Sequence, residues 1–412
     1  MTPWQDFLSV IVLHLCLCAR VASSMNEFEF IRRLREQVRA RGSFSTLLSG
    51  IGDDAAVIEH LDNSNTVITT DLLVEDVDFY RAATPPKLLG HKALAVSLSD
   101  IAAMGARPRW SLVSIGLPAD VWEINFKDEF FAGYLSLANQ FGVTLVGGDV
   151  SRTPDRIVID SIVLGDVSAG GAVLRSGAQP GDHIYVTGTL GGSAAGLRMI
   201  EKGARLGDKG LITLPHAAKL KDARNPAVRE GARSRKPTGK RSQKTKNVGQ
   251  IMRTSEAKAI EALLFRQLHP QPRVGWGIIL GEERLATAMI DISDGLSTDL
   301  DHLCCESKVG ALINSQDIPI DSQVVEVCGR RALDPLMLAL HGGEDFELLF
   351  TTRPEDGARL PKQVDGIPTS RIGKITNEAG VIRVAERNRV WDLKPGGFDH
   401  FGAASTGPRR HK

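Results

Sequence analysis

Thr66-Val-Ile-Thr-Thr-Asp71, Val143-Thr-Leu-Val-Gly-Gly-Asp149 and Ala288-Met-Ile-Asp-Ile-Ser-Asp294 share one pattern, a short β-rich run that stops at an acid. Each predicts a buried strand delivering a carboxylate at its C-terminal end. In mixed α/β folds that is where ligands collect. Between the first two, Leu88 to Met104 is rich in Ala and Leu, with Gly105 placed to cap a helix and Pro108 just beyond. That helix carries Asp100 near its end. Further on, His183-Ile-Tyr-Val-Thr187 reads as a strand, and Gly188-Thr-Leu-Gly-Gly-Ser-Ala-Ala-Gly196 reads as a glycine-rich turn opening a helix. Such a turn is able to cradle phosphate, but it fits neither GxxxxGK[ST] nor GxGxxG and is a weak signal alone. The turn Ser176 to Asp182 marks a boundary between two α/β halves, 25–175 and 176–401.

The chain has 412 residues, 42% hydrophobic and 24% charged, which excludes a disordered chain, a coiled coil or a collagen. At 5% aromatic it is poorly suited to base stacking. Charge is unevenly spread. Residues 219–246 hold eleven Lys/Arg against Asp222 and Glu230, a local +9, which leaves −8 for the rest of a chain whose net charge is +1. An acidic body with clustered Asp points to divalent metal rather than nucleic acid. The basic stretch lacks apolar periodicity and contains two Pro, so a mobile insert over about 205–255 is expected, with contact to RNA or an acidic partner as the alternative.

The five Cys (Cys16, Cys18, Cys304, Cys305, Cys328) have no zinc spacing and an odd total, which suits a reducing, cytoplasmic compartment better than a disulfide framework. Phe7 to Ala19 is apolar but too short to span a bilayer, and Asp6 stands where a signal peptide would carry basic residues. Residues 1–24 are therefore expected to lie outside the fold as an N-terminal extension. Phe28, Ile31 and Leu34 have helical spacing, so the folded part is expected to begin near Met25. Residues 402–412 form a tail.

Asp53, Asp54, Asp71, Asp100, Asp149, Asp291 and Asp294 each stand beside Gly, Ser, Thr or a strand end. Any one of them caps a turn readily. Together, like charges converging at strand ends repel unless cations neutralise them. Mg²⁺ suits that set, because it prefers carboxylate oxygen and bridges protein acids to nucleotide phosphates. Phosphoryl transfer needs such neutralisation and in-line positioning. Arg175, before a Ser-Gly turn, is a candidate phosphate contact.

With these residues in view, the chain resembles the thiamine-monophosphate kinase family, within the superfamily of aminoimidazole ribonucleotide synthetase and selenophosphate synthetase. The resemblance is carried in order by Ile51-Gly-Asp-Asp-Ala-Ala56, Thr69-Thr-Asp-Leu-Leu-Val74, Lys92 to Ala106, Val146-Gly-Gly-Asp149, Arg175-Ser-Gly-Ala178, Gly181 to Gly188, Asp291-Ile-Ser-Asp-Gly-Leu296, Gly342-Gly-Glu-Asp-Phe-Glu-Leu348 and Gly397-Phe-Asp-His-Phe401. It implies an α/β (α+β) two-domain fold like aminoimidazole ribonucleotide synthetase. The N-terminal sheet would form a barrel-like homodimer core and an α+β C-terminal domain would close over nucleotide. It also implies transfer of the ATP γ-phosphate to thiamine monophosphate, assisted by Mg²⁺. By the same resemblance Asp54, Thr69, Thr70, Asp71, Asp100, Asp149, Asp291 and Asp294 hold metal, with Asp71, Asp149 and Asp294 central to catalysis. Gly148, Arg175 and Ser293 contact nucleotide; Asp78 and Glu344 contact the acceptor. No membrane partner is expected.

Two departures stand out. Leu73-Val-Glu-Asp-Val-Asp-Phe79 places Asp78 where the family has His and Asp76 where it has Gly. An acid cannot donate as imidazole does, so the choice of acceptor is in question. A sibling ATP-dependent enzyme with another acceptor, or a catalytically weakened nucleotide- or RNA-binding protein, is the alternative. Selenophosphate synthesis is disfavoured, since no N-terminal Cys stands in a glycine-rich lead segment.

Overall fold

The computed structural model describes residues 27–40, 45–60, 64–206, 212–213 and 255–400. The N-terminal extension, the C-terminal tail and nearly all of the basic insert lie outside the described residues. The fold is mixed α/β, as expected, with two main sheets. The first is built from β1 (Leu47–Ser49), β2 (Ala56–Glu59), β3 (Ser64–Val74), β4 (Arg107–Leu117), β5 (Thr144–Arg152) and β6 (Val158–Ser168), in the order β1-β2-β3-β6-β4-β5. Its pairs are antiparallel except β4 with β5.

Strand β3 shows why the acids sort by face. Asn65, Val67, Thr69 and Leu73 are buried on one side, and Asp71 continues that side, while Thr70 and Leu72 are exposed on the other. The two-residue period of the pleat dictates this.

Against the inner face lies the helix Pro86–Ala103, with fourteen of its residues buried. A helix apolar all round must be covered all round, and glycines allow it. A Cβ at Gly133, in the helix Phe126–Phe141, would lie 1.8 Å from the Lys87 carbonyl oxygen. One at Gly277, in the helix Val274–Glu282, would lie 2.1 Å from that of Ala102. Backbones touch at both crossings, so the central helix is fixed on each side. The second contact also joins the halves, because Val274, Trp276 and Leu280 pack into the same core as Leu94, Leu98 and Ile101.

The second sheet contains β7 (His183–Thr187), then, beyond the two-residue strands β8 (Arg205–Leu206) and β9 (Ile212–Thr213), β10 (Ala288–Asp291), β11 (Gly310–Asn314), β12 (Leu348–Thr352), β13 (Gln363–Val364), β14 (Ile367–Thr376), β15 (Ile382–Glu386) and β16 (Arg389–Asp392). Its order is β10-β12-β7-β14-β11-β15-β16, with β13 on β14. Strands β8 and β9 pair as a small antiparallel ladder, so the start of the expected insert is ordered.

Three expectations need correction. Only β10 is fully buried, and it ends at Asp291, three residues before Asp294. Strand β3 runs on past Asp71 to Val74, and β5 past Asp149 to Arg152. Strand β5 is also a sheet edge and almost wholly exposed, so its apolar residues were misread as a burial signal. Finally, the helix Glu27–Ala40 follows its predicted start but buries no residue. Among the described residues no helix is long and apolar enough to cross a membrane.

Candidate active site

Four of the expected acids meet where the inner face of β3, the end of the central helix and the end of β10 converge. One carboxylate oxygen from each of Asp54, Asp100 and Asp291 lies within 4.8 Å of the others. Asp54 and Asp291 are buried and Asp100 is half-buried. Thr69 Oγ1 donates to Asp100 Oδ2 at 2.5 Å, and Ser99 Oγ donates to Asp291 Oδ2 at 2.6 Å. Burial, then the charge of Asp54, pushes Asp291 up to about 8. Burial, followed by the charges of Asp71, Asp291 and Asp54, raises Asp100 well above the usual carboxylate range. Asp71, lifted to about 6 by burial and then by Asp160 and Asp54, belongs to the same electrostatic group.

These acids fit a divalent cation. Asp54 Oδ2 and Asp71 Oδ2 are buried without a hydrogen-bond partner, an arrangement that costs free energy unless something positive lies against it. An all-oxygen donor set of several carboxylates suits Mg²⁺ rather than zinc.

Arg175 closes one side. Its Nη2 donates to Asp54 Oδ1 at 2.6 Å and its backbone N–H to Asp53 Oδ1 at 3.2 Å. Arg175 thus holds Asp54 through its guanidinium and Asp53 through its backbone, while its buried Nε has no hydrogen-bond partner. Asp53 is pushed up to about 6, by burial and then by Asp54.

Asp294 stands apart from the first cluster. At the entrance to the helix Leu296–Ser307 it groups with Asp299 and His302, whose ligand atoms lie within 4.8 Å of one another. It is lifted to about 6, by burial and then by Glu27 of the N-terminal helix. Asp299, which also accepts the N–H of Gly295 at 2.9 Å, was not singled out in the sequence. Its five-residue spacing after Asp294, across one helical turn, was the available signal. Ser293, half-buried beside this group, accepts the N–H of Glu344 at 2.7 Å through its backbone oxygen.

The structure does not bring Thr70 and Asp149 to that face. Thr70 Oγ1 donates to Asp160 Oδ1 at 2.6 Å, and Asp160, Ser114 and Asp149 align across β6, β4 and β5 in the row that begins with the exposed Leu72. Asp149 is exposed there. Gly148 has a steric role of its own, since a Cβ would lie 1.9 Å from the Val113 carbonyl oxygen, at φ +148°.

Glu344 is the centre of a second polar group. Its Oε1 pairs with Lys92 Nζ at 2.5 Å, and its Oε2 accepts from Gln267 Nε2. Neither partner was singled out in the sequence. Asp78 turns back on its own loop, accepting the Val74 N–H at 2.7 Å. Asp76 has a left-handed backbone at φ +68°, which Asp tolerates better than most residues, and its carboxylate meets Arg156 at 3.0 Å.

The glycine-rich turn is not an open phosphate cradle. Asp345 accepts from the N–H groups of Gly191 at 2.6 Å and Ser193 at 3.0 Å, so the helix N-terminus already holds an anion of the chain. Behind it, fully buried Glu347 accepts from Arg273 at 2.5 Å through both oxygens and from Thr187 at 2.8 Å.

Residues 52–167 match the family "AIR synthase related protein, N-terminal domain". The thiamine-monophosphate kinase of Buchnera aphidicola subsp. Schizaphis graminum is 33% identical over 91% of this chain and 99% of its own length. The solved structure of AaThiL complexed with AMPPCP and TMP covers 92% of this chain and 97% of that one, at 27% identity and a TM-score of 0.69. That of the thiamine-monophosphate kinase from Stenotrophomonas maltophilia K279a covers 86% and 96%, at 33% identity and 0.62. With likeness running over nearly the whole length and the acid cluster in place, the chain belongs to the thiamine-monophosphate kinase family.

Proposed function

We propose that this protein transfers the γ-phosphate of ATP to thiamine monophosphate, forming thiamine diphosphate and ADP. The observation that carries the reading is the convergence of Asp54, Asp100 and Asp291, with Asp71 beside them, on one partly buried face. Full-length likeness to a kinase solved with AMPPCP and TMP supports the donor and the acceptor.

Asp54, Thr69, Asp71, Asp100 and Asp291 would hold Mg²⁺, and Asp294 with Asp299 would hold a further ion. Mg²⁺ supplies charge neutralisation and alignment of the transferring phosphoryl group. The chain's own residues do the rest. Arg175 keeps the Asp53–Asp54 loop in place through the bonds described above. Glu344 offers a carboxylate to the cationic ring of the acceptor, and Asp78, on the neighbouring loop, shapes that end of the site. No covalent intermediate on the enzyme is required, so transfer is direct.

A homodimer is part of the proposal. Strand β5 leaves one edge unpaired, and Leu72, Trp110, Val146 and Val150 are exposed on this sheet; an unpaired apolar edge invites a second copy. The division at 175/176 is supported by the separation of the two sheets in sequence. ATP-dependent chemistry and the free thiols Cys304, Cys305 and Cys328 support a cytoplasmic setting.

The test is a panel of acceptors. Purified protein with ATP and Mg²⁺ should convert thiamine monophosphate to thiamine diphosphate, resolved chromatographically, in preference to aminoimidazole ribonucleotide precursors or other phosphate monoesters. No thiamine diphosphate across a range of concentrations would overturn the reading.

A further inference from the structure

Glu344 is held more firmly than an acceptor contact on a loop needs to be. Its backbone sits at φ +63°, a strained conformation for Glu, and its N–H is fixed by the Ser293 carbonyl at 2.7 Å. Both carboxylate oxygens are engaged, one by Lys92 and one by Gln267. Lys92 is 1% exposed and Gln267 4%, so neither side chain has room to follow a moving partner.

Gln267 is itself oriented. Ser193 Oγ donates to Gln267 Oε1 at 2.5 Å, which leaves the amide nitrogen to face Glu344. Ser193 is fully buried, and its N–H is held by Asp345. An unbroken chain therefore runs from Asp345 through Ser193 and Gln267 to Glu344. It joins three segments: the glycine-rich turn, the helix Ser255–Leu268 and the Gly342-Gly-Glu-Asp motif.

We infer that Gln267, oriented by Ser193 and opposed by Lys92, is a positioning residue that aims Glu344 at the cationic ring of the acceptor and thereby sets selectivity for a charged ring. This rests on the reading that Glu344 meets that ring. Gln267 carries no charge and its side chain meets Ser193 and Glu344, so its effect should pass through Glu344.

The experiment compares two acceptors, thiamine monophosphate and the monophosphate of 3-deazathiamine, whose ring is an uncharged thiophene. Four proteins are used: wild type, Gln267→Met, Glu344→Gln and the double variant. The readout is the ratio of kcat/KM values for the two acceptors. Gln267→Met should lower the wild-type preference for the charged ring about tenfold, through KM, with KM for ATP unchanged. Once Glu344 is already Gln, adding Gln267→Met should leave the ratio unchanged, because the effect has lost its intermediary.

An unchanged ratio in Gln267→Met, or an equal loss in both backgrounds, would overturn the inference. A wild type without preference for the charged ring would overturn it too, while leaving the kinase reading intact, since formation of thiamine diphosphate tests that separately. Should Gln267→Met fail to fold, Ser193→Ala removes only the orienting hydroxyl and is read in the same way.

Discussion

Asparagine at position 291 should make the metal-free protein more stable and the enzyme worse. Asp291 is 2% exposed and is pushed up to about 8, against about 3.9 in an unfolded chain. Between those values the folded state binds a proton that the unfolded state does not, so stability falls as pH rises. The loss amounts to roughly 3 kcal/mol from pH 5 to pH 7, and it levels off above pH 8. Asp291→Asn lacks that proton and keeps an oxygen to accept from Ser99. Its stability relative to wild type should therefore climb by roughly 3 kcal/mol over the interval. His91 and His302, each pushed down to about 4 by burial, slope the other way in both proteins and cancel in the difference. The assay is urea unfolding in EDTA at pH 5, 6, 7 and 8, repeated with Mg²⁺. Magnesium should draw the two curves together by favouring the charged carboxylate, and turnover of the variant should fall because a ligand is gone. Parallel curves from pH 5 to 8 in EDTA would refute the reasoning.

Two further predictions follow from neighbouring groups. Glu347→Gln should lower stability by about 3–5 kcal/mol, read from the urea midpoint, because it leaves Arg273 buried without its carboxylate. Burial alone would push Glu347 up, but Arg273 and Arg266 outweigh it and hold the group below its usual value. Asp71→Asn should lower turnover at least about tenfold and raise the magnesium requirement, whereas Asp149→Asn, whose side chain is exposed in the row of Leu72, should do neither. Asp71→Asn should also alter the metal-free pH dependence of stability, since burial lifts the Asp71 carboxyl to about 6.

Much of the scaffold was legible in local signals. Gly105 and Pro108 end the central helix within a residue of where the structure ends it, and β7 spans the expected residues. Strand β10 was read correctly because a short wholly apolar run before an acid suits a strand covered on both faces. Strand β5 carried a similar signal and is an edge, because apolar composition does not say whether the cover comes from the same chain. Thr69, Thr70 and Asp71 were grouped together although the pleat must send Thr70 to the opposite face. Strand periodicity contained that information. By contrast, the partners of Glu344 were hidden. Gln267 lies 77 residues away in sequence, on a helix whose pattern reads as ordinary amphipathic surface and core. A buried Lys such as Lys92 looks like any other Lys until its partner is known. Asp76 adopts a positive φ that favours Gly, a strain that the sequence alone did not show.

The central claim is that the buried aspartates form a cation site on which phosphoryl transfer depends. Its most direct test is thiamine diphosphate formation as a function of Mg²⁺ concentration, in wild type and Asp54→Asn side by side. Asp54 contributes to the cluster, carries an unpartnered buried oxygen and is held by Arg175. Wild type should show saturable magnesium dependence, and the variant a curve shifted to higher Mg²⁺ with a turnover at least about tenfold lower. Superimposable curves for the two proteins would contradict it.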